Sequence, residues 1–215
     1  MERREALKRG GAVAAGMALF PSGFAERLAR LGPQESVVPW TNAPPAGGRA
    51  NTLDWQALTS WVTPTHELFS VGHYGTPEID ATTWSLEVGG LVNRPLRLTL
   101  DQIRSRPSQD VTCLIECAGN RGFATFMGAV NNATWTGTPL ASVLSEAGLQ
   151  SGGIEVVFFG ADEGTETIRE IEVTQNFARS LSIDDAMADD VILAYEVNGE
   201  PLPVGNGFPL RLVVP

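Results

Sequence analysis

The sequence predicts an α+β domain of mixed β-sheets with short helices. Two observations carry this. Apolar and polar residues alternate with period two in several runs bounded by turn residues, and helical spacing is confined to short stretches. At 215 residues, 43% hydrophobic and 19% charged, the chain is long enough for one substantial domain with its own core. No repeat or low-complexity tract interrupts it.

Trp84 to Val92 alternates as a half-buried strand does, and Leu96 to Leu100 repeats the pattern after the turn signal Asn93-Arg94-Pro95. Thr99 or Asp101 then caps a short helix through Ser105. Val111 to Ile115 is an apolar run that reads as a strand. Pro139 to Ala147 has helical spacing at Leu140, Val143 and Leu144, with Gly148 as its stop. Ile154 to Gly160 is expected to be a buried strand, because Val156, Val157, Phe158 and Phe159 are continuous. Glu163 to Glu172 is polar and alternates only partly. Asn176 to Leu181 is expected as helix or turn, and Asp184, Asp185, Asp189 and Asp190 as a solvated acidic loop without calcium-loop spacing. Val191 to Val197 and Leu210 to Val214 are the last strands.

The formal net charge of −10 excludes a nucleic-acid binder, whose partner demands a basic surface. It suits docking of a basic protein. If residues 111 to 117 are extended, Cys113 and Cys117 lie about 13 Å apart on one sheet face. A disulfide needs Cα atoms within about 7 Å, so both are expected to be free, Cys113 as a small buried hydrophobe. No haem-attachment motif occurs.

The most distinctive stretch is Glu116-Cys117-Ala118-Gly119-Asn120-Arg121. Gly and Asn turn the chain sharply at low cost, because both tolerate positive φ. The thiol at the end of the apolar run is thereby presented at a sheet rim. Such a thiolate suits a nucleophile or a soft-metal ligand. The nucleophile needs a nearby base, for which His73 is the main candidate. His66 sits in an expected loop. Arg211 lies in an apolar strand, where an unpaired cation is costly, so a carboxylate or a ligand phosphate is expected beside it. Asp162 reads equally as a turn residue. Tyr195 and Trp135 read as core aromatics.

Glu116 to Arg121 resembles the molybdenum-ligating motif of the sulfite oxidase family. Phe69-Ser70-Val71-Gly72-His73-Tyr74-Gly75-Thr76-Pro77 resembles that family's Phe-x-Arg-Asn-His-x-x-x-Pro. Trp135 to Leu140 resembles Trp-x-Gly-x-x-Leu. Gly160-Ala161-Asp162, Ala194 to Gly199 and Gly207 to Arg211 resemble three further segments, all in the family's order. The resemblance implies a sulfite-oxidase-type molybdopterin-binding fold over 56–215, with a molybdenum–molybdopterin cofactor and no haem. Cys117 would be the protein's metal ligand and catalytic residue. Phe69, His73, Asp162, Asn206 and Arg211 would complete the cofactor contacts. Arg211 suits the pterin phosphate, since a guanidinium offers paired charged donors.

Four positions depart from the pattern. Val71 and Gly72 replace the family's Arg-Asn, Gly122 replaces its second arginine, and Asn206 replaces a histidine. A pocket less cationic than a sulfite oxidase's is expected, and a different or neutral sulfur compound as substrate. The implied activity is oxygen-atom transfer to or from a small substrate, with electrons passed to an external acceptor such as a cytochrome c. S-oxide reduction, or a catalytically silent pterin-binding module, are the alternatives. Relatives continue beyond the position matching Pro215, into further pterin contacts and a dimerisation domain.

Arg3-Arg4-Glu5-Ala6-Leu7-Lys8 resembles a twin-arginine export signal, and the apolar stretch from Ala12 to Phe20 follows. That stretch is shorter than the roughly 20 residues a membrane span requires, so stable membrane insertion is not expected. Residues 1–30 are therefore assigned as an export signal, 31–55 as an extended linker, and the protein as periplasmic or otherwise exported.

Overall fold

The computed structural model describes residues 49–50, 53, 58–120 and 128–215, all within the compact unit Asn42–Pro215. The expected export signal, most of the linker and Gly122 lie outside the described residues. Arg49–Ala50, from the end of the linker, form β1, paired antiparallel with β2, Ser70–Val71, so that Arg49 stands opposite Val71.

β3 (Ser85–Val88) and β4 (Leu96–Thr99) make the expected hairpin. The first strand is shorter than its alternation suggested, ending before Gly89 and the positive-φ Gly90. β4 runs directly into α1, Leu100–Arg104. Thr99 rather than Asp101 caps it: the Thr99 side chain accepts from the Gln102 N–H, and the Gln102 side chain returns to the Thr99 N–H. This reciprocal cap satisfies two of the helix's orphan donors.

β5 (Gln109–Glu116) and β6 (Val130–Pro139) are antiparallel and long, with Cys113 opposite Ala133 and Glu116 opposite Val130. β5 alternates half-buried and exposed at every residue. That is how an antiparallel strand with one solvated face behaves. β6 runs into α2, Leu140–Ala147, whose Leu140, Val143, Leu144 and Ala147 form one buried stripe. Gly148 ends it at φ 71°, a conformation that favours glycine.

β7 (Glu155–Ile168) and β8 (Ile171–Ser182) form a long two-stranded hairpin. This corrects two expectations. Asn176 to Leu181 is strand, not helix or turn. The run from Ile154 to Phe159 is not buried throughout: Val156 and Phe158 pack on the core while Ile154 is 82% and Phe159 73% exposed. Asp184 and Asp185 likewise sit in a one-turn helix, α3 (Ile183–Ala186), capped by Ser182, rather than in a loop.

β9 (Ile192–Val197) is the central strand of the main sheet. β6 lies on one side of it, and β10 (Glu200–Pro201) and β11 (Arg211–Val213) on the other. Its sequence is apolar from Ile192 to Tyr195 because both of its faces are covered there, and the half-buried Glu196 interrupts the run before Val197. Ile192, Ala194 and Val197 join Leu68, Ala133, Trp135 and Val213 in one core. Leu193 and Tyr195 face a second core with Ile103, Val143 and Leu144. Full burial of each such side chain is worth about 1.5–3 kcal/mol. Among the described residues, no helix is long and apolar enough to cross a membrane.

Candidate cofactor site

β5 delivers Cys117 to a corner one residue beyond its last pair. The Cys117 N–H donates to the Ala129 carbonyl (2.9 Å) and its own carbonyl accepts from the Asn120 N–H (2.9 Å). Gly119 donates its N–H to Cys117 Sγ at 3.4 Å. The side chain is half-buried and, like Ile115, packs against the cluster of Phe69 and Ala129. Both cysteines are free. Cys113 faces the same side of β5, and burial pushes its thiol up, against the opposing pull of Arg211.

Phe69 is 8% exposed and joins Cys117 to the rest of the site. Its carbonyl accepts from Asn206 Nδ2 at 2.8 Å, and Asn206 is itself buried. The Asn206 carbonyl in turn accepts from Arg211 Nη1 at 3.2 Å. The guanidinium lies over Trp135, with Cζ 4.9 Å from the ring centroid. No carboxylate among the described residues pairs with Arg211, and burial holds its pKa below the usual arginine value. Half-buried and bonded to one carbonyl, the guanidinium keeps donors that an anion could use.

Two buried polar atoms on the same face of β6 also lack partners, Asn131 Oδ1 and Trp135 Nε1. Their cross-strand partners are Ile115 and Val111. Buried polar atoms are ordinarily bonded, so this pair points to a polar ligand or water. No group of three or more His, Cys, Asp or Glu able to hold a metal occurs among the described residues. A metal at Cys117 would need ligands beyond these residues. A soft sulfur donor, an arginine without a carboxylate partner and two unbonded buried polar atoms fit a metal–pterin phosphate.

His73 and Asp162 fall in a second group, against the β7–β8 hairpin. His73 Nε2 and Glu166 Oε1 are 2.9 Å apart, and the imidazole packs on Tyr74 and Phe177. Tyr74 lies against Gly164, where any Cβ would strike its ring. Its hydroxyl accepts from Gln175 Nε2 at 3.0 Å. The bonds from His73 and Tyr74 hold the Glu166 carboxyl below its ordinary range. Asp162 sits within β7 beside the register shift that precedes Glu163, its carbonyl accepting from Asn176. Residue patterns gave no sign of Glu166 and Gln175, which become neighbours of His73 and Tyr74 only through hairpin pairing.

The oxidoreductase molybdopterin binding domain family matches residues 73–215. The chain belongs to this family. It is 36% identical to mitochondrial sulfite oxidase of Rattus norvegicus over 173 residues, which cover 73% of the chain and 30% of that protein. It is 33% identical to the NADH nitrate reductase of Ulva prolifera over 170 residues, 72% of the chain and 19% of that enzyme. The fold is similar to that of the sulfane dehydrogenase SoxCD from Paracoccus pantotrophus, with a TM-score of 0.66 and 28% identity over 84% of the chain and 51% of that structure. The chain thus spans under a third of the two curated relatives. The expected α+β class and molybdopterin-binding fold hold. A sulfite oxidase-family domain of this kind is a molybdenum-cofactor oxidoreductase domain.

Proposed function

We propose that this domain holds a molybdenum–pterin cofactor through Cys117 and serves an exported enzyme acting on a small sulfur compound. The cofactor, when bound, supplies two-electron oxygen-atom transfer. Cys117 is the protein sulfur on the metal, and Arg211 neutralises the pterin phosphate. Asn206 fastens Phe69 beside that arginine, and Phe69 shields the thiolate from bulk water. His73 and Asp162 approach the cofactor from the hairpin side. Export by the twin-arginine route, which carries folded proteins, is consistent with cofactor insertion before transport. The acidic balance of the chain favours a basic electron acceptor, such as a cytochrome c.

The observation that carries this reading is the chain of contacts from Cys117 through Phe69 and Asn206 to the unneutralised Arg211. Val71 at the position of a family arginine supports a substrate other than sulfite. Steady-state kinetics with sulfite and with neutral sulfur compounds test the specificity. Efficient turnover of sulfite would remove the case for altered specificity. Bound molybdenum with no turnover of any of them would favour a silent pterin-binding module.

A further inference from the structure

The amide of Asn120 is the most fully used side chain around Cys117. Its Nδ2 donates to Glu116 Oε1 and to the Ala129 carbonyl, each at 3.1 Å, and its Oδ1 accepts from the Ala129 N–H at 3.3 Å. Glu116 closes β5 and Ala129 immediately precedes β6, so one side chain clamps both sides of the corner that carries the thiol. The backbone repeats the clamp. Asn120 N–H reaches the Cys117 carbonyl, and Cys117 N–H reaches the same Ala129 carbonyl that Nδ2 uses. The result is a tight turn in which Gly119 N–H points at Sγ.

Aspartate and serine cannot make this set of bonds. An aspartate has no donor for Glu116 or the Ala129 carbonyl and would set two carboxylates together. A serine is too short to span both strands. We infer that Asn120 is the positioning residue for the Cys117 sulfur, fixing its place and aiming the Gly119 N–H at it. The inference rests on the reading of Cys117 as a metal ligand. An N–H donated to a ligating sulfur withdraws electron density from it. Such bonds raise a metal's reduction potential, as hydrogen bonds to cluster sulfurs do. Residues that orient ligands in this way are typically worth about 10- to 100-fold in metal affinity or activity.

The test uses the full chain in a Cys113→Ser background, so that Cys117 is the remaining thiol. Asn120→Ala and Asn120→Asp are compared with the parent and with Asn120→Asp/Glu116→Gln, in which the donor moves to the opposite side chain. In loaded protein, the expected result for both single variants is a metal midpoint potential shifted negative, with the double variant recovering part of the shift. In cofactor-free protein, iodoacetamide should label Cys117 several-fold faster in Asn120→Ala, because the corner no longer holds the sulfur. Thermal unfolding distinguishes local loosening from loss of the fold, and Asn120→Asp remains informative if Asn120→Ala does not fold. Unchanged labelling together with an unchanged potential overturns the inference. If the parent binds no molybdenum, the ligand reading fails, while the labelling comparison still decides whether Asn120 positions the sulfur.

Discussion

Arg211 lies over the indole of Trp135, its Cζ 4.9 Å from the ring centroid, with only the Asn206 carbonyl as its described hydrogen-bond acceptor. The stacking offsets part of the desolvation cost, by up to about 2 kcal/mol. It does not neutralise the charge. The arginine is thus suited to pairing with an anion.

Arg211→Met should separate these two roles. Replacing the half-buried Arg211 with an apolar side chain of similar volume removes the desolvation cost of its charge together with its one carbonyl bond and its stacking on Trp135. Urea unfolding of the cofactor-free variant should therefore show a loss no greater than about 1.5 kcal/mol, the net worth of one hydrogen bond. Cofactor retention after gel filtration should fall by about 10- to 100-fold, the range for lost support at such sites. A large loss of cofactor-free stability with full retention would contradict the phosphate role.

Acid should destabilise the fold through Glu146 and Glu166. Arg106 bonds to Glu146 and His73 to Glu166, and each carboxyl is held below its ordinary value of 4.5. A carboxylate with a depressed folded pKa contributes stability above its unfolded value and loses it as pH falls through the folded one. Stability should therefore decline as pH drops below about 4.5. Glu146→Gln should flatten that decline in urea midpoints measured across the acid range. An unchanged slope would mean that the pair with Arg106 contributes nothing.

The turn of the β7–β8 hairpin carries Arg169 at φ 49° and Glu170 at φ 68°. Both are in the left-handed region, which costs L-residues roughly 1–2 kcal/mol each. Replacing the pair with Asn-Gly, the preferred turn for this geometry, should raise stability by at least about 1 kcal/mol. A thermal midpoint at or below the parent's would contradict the strain.

This turn also explains what the sequence concealed. Arg-Glu gives no turn signal, so the polar stretch around it did not read as the tip of a hairpin. Without that tip, neither the length of β7 nor the strand character of Asn176 to Leu181 was legible. The run Val156 to Phe159 looked fully buried because its outward Val157 and Phe159 are as apolar as its inward Val156 and Phe158. By contrast, α1 and α2 carried their caps and stripes openly, and β9 is apolar from Ile192 to Tyr195 because both its faces are covered there. Cys117, Phe69, Asn206 and Arg211 were legible as candidates. The pairing of His73 with Glu166, 93 positions away, was not.

Gly137 shows how a motif glycine earns its place structurally. A Cβ there would run into the Leu193 carbonyl and stand 2.6 Å from Ala194 Cα, at the irregularity where β6 shifts register against β9. Gly137→Ala should cost at least about 3 kcal/mol, the upper range for overpacking. Near-parental urea unfolding would show that the strands can part without penalty.

The most direct measurement is the molybdenum X-ray absorption spectrum of the full chain, alongside elemental molybdenum per chain, for wild type and Cys117→Ser. The wild type should hold molybdenum with a cysteine sulfur in its coordination shell. Cys117→Ser should lose that sulfur and turnover while keeping much of the metal, because Arg211 and its neighbours still hold the pterin. An identical coordination shell in the two proteins would contradict ligation by Cys117.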